Sequence, residues 1–381
     1  MLNRRTLRIK AMQVIFAFQQ CREANFNVVI ERIGESFLPD LNSMEKQDLD
    51  LLNQQKKEAV QIFKEQYSSR SFDASKGSKE DKINTVVDDS ISFYHQQVDK
   101  DMDYFRKNMV IEAEKIHDRY ILALLLIIEF AEIAEGDKKR NHSNFVKNLL
   151  IRALKENKAL ENVSLRRNLK WKDRGVDVRQ WFMKLIKSDD TYLDYISKDN
   201  PDFEYDKAIV LHILKNVIFK SESIGTYWEE EDLNWAEDKA IVKSLSTKTV
   251  KSIEEDTLEG FELQELSYNW EDDKSFFIKL FDDTVKVEED YLKLVDEKAK
   301  NWDIDRIAGT DKVILEMAIG EMINFQSIPV KVTINEYIEI SKGYSTPKSK
   351  QFVNGILDVV AVDLQNKGVI KKSGRGLIDN K

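Results

Sequence analysis

The sequence predicts an all-α protein, and three observations carry the prediction. Only four prolines and thirteen glycines interrupt 381 residues. Leu, Ile, Glu and Lys dominate the long windows between them, and these are residues that favour helix or tolerate it well. Apolar side chains recur at helical spacing, as in Leu7, Ala11, Val14, Ile15 and Phe18.

That first stripe defines a helix over about 5–22. At about 100° per residue, Arg4, Arg5 and Arg8 line one border of it beside Met12, Phe16 and Gln19, while Lys10 points elsewhere. Further helices are expected over 26–38, 44–67 and 88–134. The segment ILALLLII at 121–128 is far shorter than the roughly 20 residues a helix needs to cross a bilayer, so it reads as core. The polar stretch SSRSFDASKGSKED at 68–81 reads as an exposed, mobile loop, and EGDKKRN at 135–141 as a second break.

From 142 to 265, amphipathic helices alternate with acidic linkers such as YWEEED at 227–232. DKAIV (206–210), EDKAIV (237–242) and TDKVIL (310–315) resemble one another, but lysine-rich amphipathic helices do so readily, so they are weak evidence for duplication. The last third predicts helices over 273–299, 303–308, 311–325, 330–342 and 347–364. Pro329 and Pro347 suit first helical turns, with Thr346 as a cap. Short loops between these helices imply a compact antiparallel bundle. Asn335, Asn354 and Gly355 stand where propensity prefers Ala or Leu. The expectation is that Gly355 admits a neighbouring backbone while the amides bridge helices, with direct ligand contact as the alternative.

The expected divisions are an N-terminal helical region, 1–135; a central expansion, 142–265, contributing in part to the N-terminal bundle; a C-terminal bundle, 272–365; and a flexible basic tail, 366–381.

A net charge of -9 disfavours indiscriminate attraction to nucleic acid but leaves room for a local basic patch. Arg4, Arg5, Arg8 and Lys10 precede the first carboxylate, Glu23. Cys21 is the only cysteine and no long apolar segment opens the chain, so a reducing cytoplasm is the expected compartment.

Catalytic signals are absent. His95, His117, His142 and His212 lack metal-ligand spacing, and Glu114 with His117 is a weak pair. Cys21 has no neighbouring histidine, and no phosphate loop, nucleophile elbow or dinucleotide fingerprint occurs. Asp282, Asp283, Glu288, Glu289 and Asp290 read as a solvated helix face or a contact for a basic protein. No enzyme activity, metal or cofactor is expected. Single-stranded RNA asks instead for cations with aromatics and amides beside them. Arg4, Arg5 and Arg8 next to Phe16 supply these, as do Tyr344, Ser345, Lys348, Lys350 and Phe352 of YSTPKSKQF and the tail KGVIKKSGRG at 367–376. They form one surface only where the termini converge.

The ordered combination of RRTLRIKAMQVIFAFQQ, WDIDRI, TDKVILEMAIGEMI, VTINEYIEI and KQFVNGILD resembles the NusB transcription antitermination family over 1–22 and 272–364. The resemblance implies a two-bundle helical fold, here with a large central helical expansion. It also implies a non-enzymatic RNA-binding adaptor. With the small-subunit ribosomal protein NusE, such an adaptor binds boxA-like single-stranded RNA in ribosomal RNA transcripts and joins an antitermination complex with RNA polymerase and other Nus factors. On the family pattern, Arg4, Arg5 and Arg8 engage phosphates and Phe16 lies at the RNA-facing edge. Tyr344, Ser349, Lys350 and Phe352 extend that surface, and Asp311 and Glu321 contact the basic protein partner. Lys348 stands where the family often has an acid. A protein-only helical scaffold is the main alternative. An RNA methyltransferase, which would require S-adenosylmethionine, is disfavoured because no cofactor domain follows the helical module.

Overall fold

The computed structural model describes residues 1–44, 46–258, 260–286, 288–298 and 308–380. The WDIDRI motif, the predicted 303–308 helix up to its final residue, and the side chains of Glu288, Glu289 and Asp290 lie outside the described residues.

Every regular element described is helical. The first three helices are α1 (Arg4–Glu35), α2 (Leu49–Gln66) and α3 (Asp81–Gly136). Eight more follow: α4 (Ser143–Val146), α5 (Leu149–Glu156), α6 (Lys158–Arg167), α7 (Gly175–Trp181), α8 (Asp190–Ser197), α9 (Phe203–His212), α10 (Glu222–Glu231) and α11 (Trp235–Ser252). The C-terminal set is α12 (Trp270–Lys286), α13 (Glu288–Lys298), α14 (Gly309–Asn324), α15 (Val330–Tyr344) and α16 (Ser349–Asn366). Among the described residues no helix is long and apolar enough to cross a membrane.

The chain divides into two compact units, one of Met1–Arg4 with Ile111–Asp273 and one of Arg5–Val110 with Lys274–Lys381. In the second unit, the end of α1, α2 and the start of α3 enclose Val29, Ile33, Phe63, Val87, Ile91 and Tyr94. Asp48 caps α2 by accepting from the amides of Asp50 and Leu51. The two helices expected over 5–22 and 26–38 are one, because no glycine or proline occurs in α1 before Gly34.

In the same unit α14 packs against both α15 and α16, and Val313 through Met322 are all buried. The predicted 273–299 helix corresponds to α12 and α13, with Val287 and Ala299 outside the described residues. The tail expected to be flexible is pinned to the turn after α14. Ser373 donates its amide to the Gln326 carbonyl at 3.0 Å, and the Lys372 ammonium donates to that of Phe325 at 2.9 Å. Gly376 passes so close that an added Cβ would lie 2.0 Å from the Gln326 oxygen, so only glycine fits. The 68–81 stretch is likewise held. Gln66 accepts from the Asp73 amide at 2.7 Å, and Asn84 accepts from that of Ser78 at 2.7 Å.

The other unit has an aromatic core. Trp171, Trp228 and Trp235 are almost wholly buried, with Trp228 stacked on Trp235 at 5.0 Å and edge-on to Trp171 at 5.6 Å. The ILALLLII segment is core, with Ile121, Ala123, Leu124, Leu126 and Ile127 all sealed from solvent. Buried Asp206 is satisfied by the Tyr195 hydroxyl at 2.6 Å and the Leu149 amide at 2.7 Å.

Candidate nucleic-acid interface

The arginine border is largely spent inside the fold. Arg8 lies in the protein interior and forms a two-pronged pair with Glu321, Nε to Oε2 at 2.7 Å and Nη2 to Oε1 at 2.8 Å. Thr333 and Tyr337 add hydroxyl donors to the same carboxylate at 2.8 and 3.2 Å, and Arg8 lies 5.2 Å from the Phe276 ring centroid. Burial opposes the charge on Arg8, but the bonds and charge of Glu321 outweigh it and raise the guanidinium pKa. Arg5 forks onto Glu336 with both bonds at 2.8 Å, which holds that carboxyl below the usual range. In the other unit Arg4 meets Asp272 at 2.6 Å and Asp273 at 3.4 Å.

These pairings correct the expected roles. Arg8 is too buried to reach a phosphate, and Glu321, fully buried, cannot present a surface to a protein partner. Asp311 is buried as well, accepting from the Ser349 hydroxyl at 2.5 Å. Ser349 and Phe352 are therefore interior residues, whereas Tyr344 is half-buried and Lys350 exposed. Sequence reasoning failed here because the carboxylates that answer these arginines lie more than 260 residues away in the chain. Asn335, Asn354 and Gly355 are exposed, and among the described residues nothing lies within 4 Å of a Cβ built on Gly355. The expected close backbone approach is therefore not made among the described residues. Asp282 accepts from Arg106 at 2.9 and 3.0 Å, which turns part of the expected solvated acidic face into an internal tie.

Phe16 has a different setting. It is half-buried on the wall of a groove of about 740 Å³, within the range of ligand sites, roughly 300–1,000 Å³. Gln19, Arg22, Gly309 and Lys312 line the same groove, and Tyr67 and His95 contribute from the end of α2 and from α3. Gly309 approaches the Phe16 ring so closely that an added Cβ would lie 3.1 Å from its Cε2. The start of α14 is tied to the segment before α16: Thr310 donates to the Ser345 hydroxyl at 3.3 Å, and Ser345 bonds Ser349 at 3.0 Å. Phe16 and the Tyr344–Lys350 segment, more than 320 residues apart, are thus linked through the first turn of α14.

The groove carries Arg22, Arg70, Lys286 and Lys312 against Glu23, Asp99 and Glu316. Arg70 is forked onto Asp99 at 2.7 and 2.8 Å. What remains is a weakly basic slot with aromatic and amide walls, suited to a flat ligand with a polar edge. Sequence reasoning missed Lys312, although TDKVIL had drawn attention to it only as a repeat. Tyr67 and His95 carried no local signal at all, since tertiary packing alone brings them to Phe16. Among the described residues no cluster of histidine, cysteine and carboxylate could hold a metal ion. Glu114 accepts from Trp270 at 3.0 Å, and burial lowers the pKa of His117.

Fold and groove together describe an all-helical protein with an open, weakly basic slot. Residues 209–362 match the NusB family. The transcription antitermination protein NusB of Salinibacter ruber is 44% identical over 105 residues, 28% of this chain and 66% of that protein. The proteins of the same name from Chloroherpeton thalassium and Koribacter versatilis are 44% and 42% identical over 28% and 25% of this chain, and over 50% and 64% of their own lengths. The chain therefore carries a NusB-family domain in its C-terminal part, with a long helical region ahead of it, and spans between half and just under two thirds of these relatives. No solved structure matches it. The matched region begins in α9 and supplies Lys286, Gly309, Lys312 and Glu316 to the groove.

Proposed function

We propose that this chain is a non-enzymatic, cytoplasmic RNA-binding adaptor for transcription antitermination. With NusE it holds boxA-like single-stranded RNA from ribosomal RNA transcripts and joins RNA polymerase and other Nus factors. The observation that carries this reading is the groove, which sets Phe16 beside Gly309 and Lys312 of the NusB-family domain. An aromatic ring beside a cation and amides is what an unpaired base and its phosphate require.

Within this proposal Phe16 stacks on a base, while Lys312, Tyr344 and Lys350 track the backbone. Arg5 stands at the margin with much of its charge answered by Glu336. Arg8, Glu321, Asp311, Ser349 and Phe352 act as frame, fixing α1 on the C-terminal bundle. Arg4, held by two aspartates, contributes little to RNA attraction. Neutralisation of the arginines also favours a second reading, a protein-only scaffold.

The two part on one experiment, titration of the chain with the NusE-like protein against short leader RNAs at several salt concentrations. Salt-dependent binding of a boxA-like strand, weakened by Phe16→Ala, is the expected result. Normal NusE binding with no RNA bound by chain or complex would replace the RNA reading with the scaffold.

A further inference from the structure

One wall of the groove holds an orientation that hydrogen bonding fixes. Gln19 on α1 donates its Nε2 to Oε2 of Glu316 at 2.8 Å, and Glu316 on α14 is buried. The two residues lie 297 positions apart, so the contact exists only in the folded chain. In this pairing the amide turns its NH2 group toward α14. Its carbonyl oxygen, Oε1, is then the atom not engaged by Glu316, and Gln19 lines the groove that Phe16 lines, one helical turn away on α1.

We infer that Gln19 is a base-reading residue: Phe16 stacks a nucleobase of the bound RNA, and the Glu316-locked amide offers Oε1 to that base's exocyclic amine. This rests on the RNA-binding function proposed above and deepens it. Adenine and cytosine carry an amine at the edge where uracil carries a carbonyl and hypoxanthine a carbonyl in place of adenine's amine. Against a carbonyl, Oε1 meets a second acceptor, and a contact is exchanged for a repulsion. An unlocked glutamine would escape by flipping its amide. Glu316 blocks that flip, so the burial of Glu316 is tied to specificity as well as to packing. Gln19 and Phe16 come from α1, outside the 209–362 match, whereas the lock comes from inside it.

The test uses the full chain with the NusE-like protein and a boxA-like RNA panel. Each adenine is replaced singly by inosine and each cytosine by uridine, and affinities are measured for wild type, Gln19→Met and Glu316→Gln. The expected result is one position where loss of the amine weakens wild-type binding roughly tenfold, with the penalty nearly absent in Gln19→Met. Glu316→Gln, almost isosteric, frees the amide to flip and reduces the same penalty. Equal penalties in wild type and Gln19→Met at every position would overturn the inference and leave RNA binding intact. No binding of any strand by wild type would instead remove the RNA function on which it rests. A NusE segment filling the groove, seen as crosslinks from position 19 to protein and none to RNA, would also overturn it.

Discussion

Two stretches of α1 make an instructive comparison. The first turns carry Arg5 and Arg8, and both guanidiniums are forked onto carboxylates of the C-terminal bundle. Two turns on, Phe16 and Gln19 line a groove, and the Phe16 ring is only half-buried. Measured by sequence, the arginines of the first stretch dominate the nucleic-acid reading and Phe16 is an aromatic beside them. In three dimensions the order reverses, because surface charge counts only after the partners supplied by folding have been subtracted. A basic residue is evidence for RNA binding in proportion to the field it still projects into solvent.

The largest effect in this comparison belongs to the locked end. Glu321→Ala leaves the Arg8 guanidinium buried without its carboxylate, and removing one partner of such a pair costs about 3–5 kcal/mol. Chemical denaturation followed by tryptophan fluorescence and circular dichroism is expected to show early loss of part of the helical signal. A midpoint unchanged from wild type would mean that the pair does not hold α1. Next comes Phe16→Ala at the open end. Loss of a stacking platform typically weakens single-strand binding by about 1–3 kcal/mol. Anisotropy with a labelled boxA-like strand and the NusE-like protein should read this as roughly five- to 150-fold lower affinity, with little change in the unfolding midpoint.

Smaller effects sharpen the contrast. Arg5→Ala removes an exposed pair and should cost no more than about 1 kcal/mol of stability, read in the same denaturation. Its acid sensitivity has a defined sign. Hydrogen bonding from Arg5 holds the Glu336 carboxyl below its ordinary 4.5, so the pair's contribution is complete above that value and is lost as pH falls through the lowered folded pKa. Wild type should therefore lose slightly more stability than Arg5→Ala between pH 5 and strongly acid solution. Parallel pH profiles would show that the fork carries no linkage.

Much of the fold is legible in the sequence. The all-helical class, the buried ILALLLII segment and the three C-terminal helices follow from local composition and period. Element ends such as Pro329 ahead of α15 follow from stereochemistry. Other features are not local. The tail is docked because Gly376 permits contact with Gln326, a pairing that no charge pattern announces. Asn335 and Asn354 look like interhelical bridges in a helical reading, yet both face outward, since propensity alone cannot say which face of a helix is covered. Of the expected surface, Phe16 and Tyr344 are half-buried and Lys350 is exposed. Arg8, Asp311, Glu321, Ser349 and Phe352 are interior, and Arg8 with Glu321 and Asp311 with Ser349 are paired across distances in sequence that no local pattern covers. The groove's second wall, with Tyr67 and His95, could be found only by folding the chain.

The most direct measurement is the salt dependence of boxA-like RNA affinity for Lys312→Ala and Arg5→Ala, each with the NusE-like protein present. For a single strand, each phosphate contact contributes about 0.7 to the slope of log affinity against log salt. Lys312→Ala should lower the slope by about that amount, while Arg5→Ala should leave it close to wild type. A slope that falls for Arg5→Ala and stays unchanged for Lys312→Ala would return RNA binding to the arginine border and contradict the assignment of the groove.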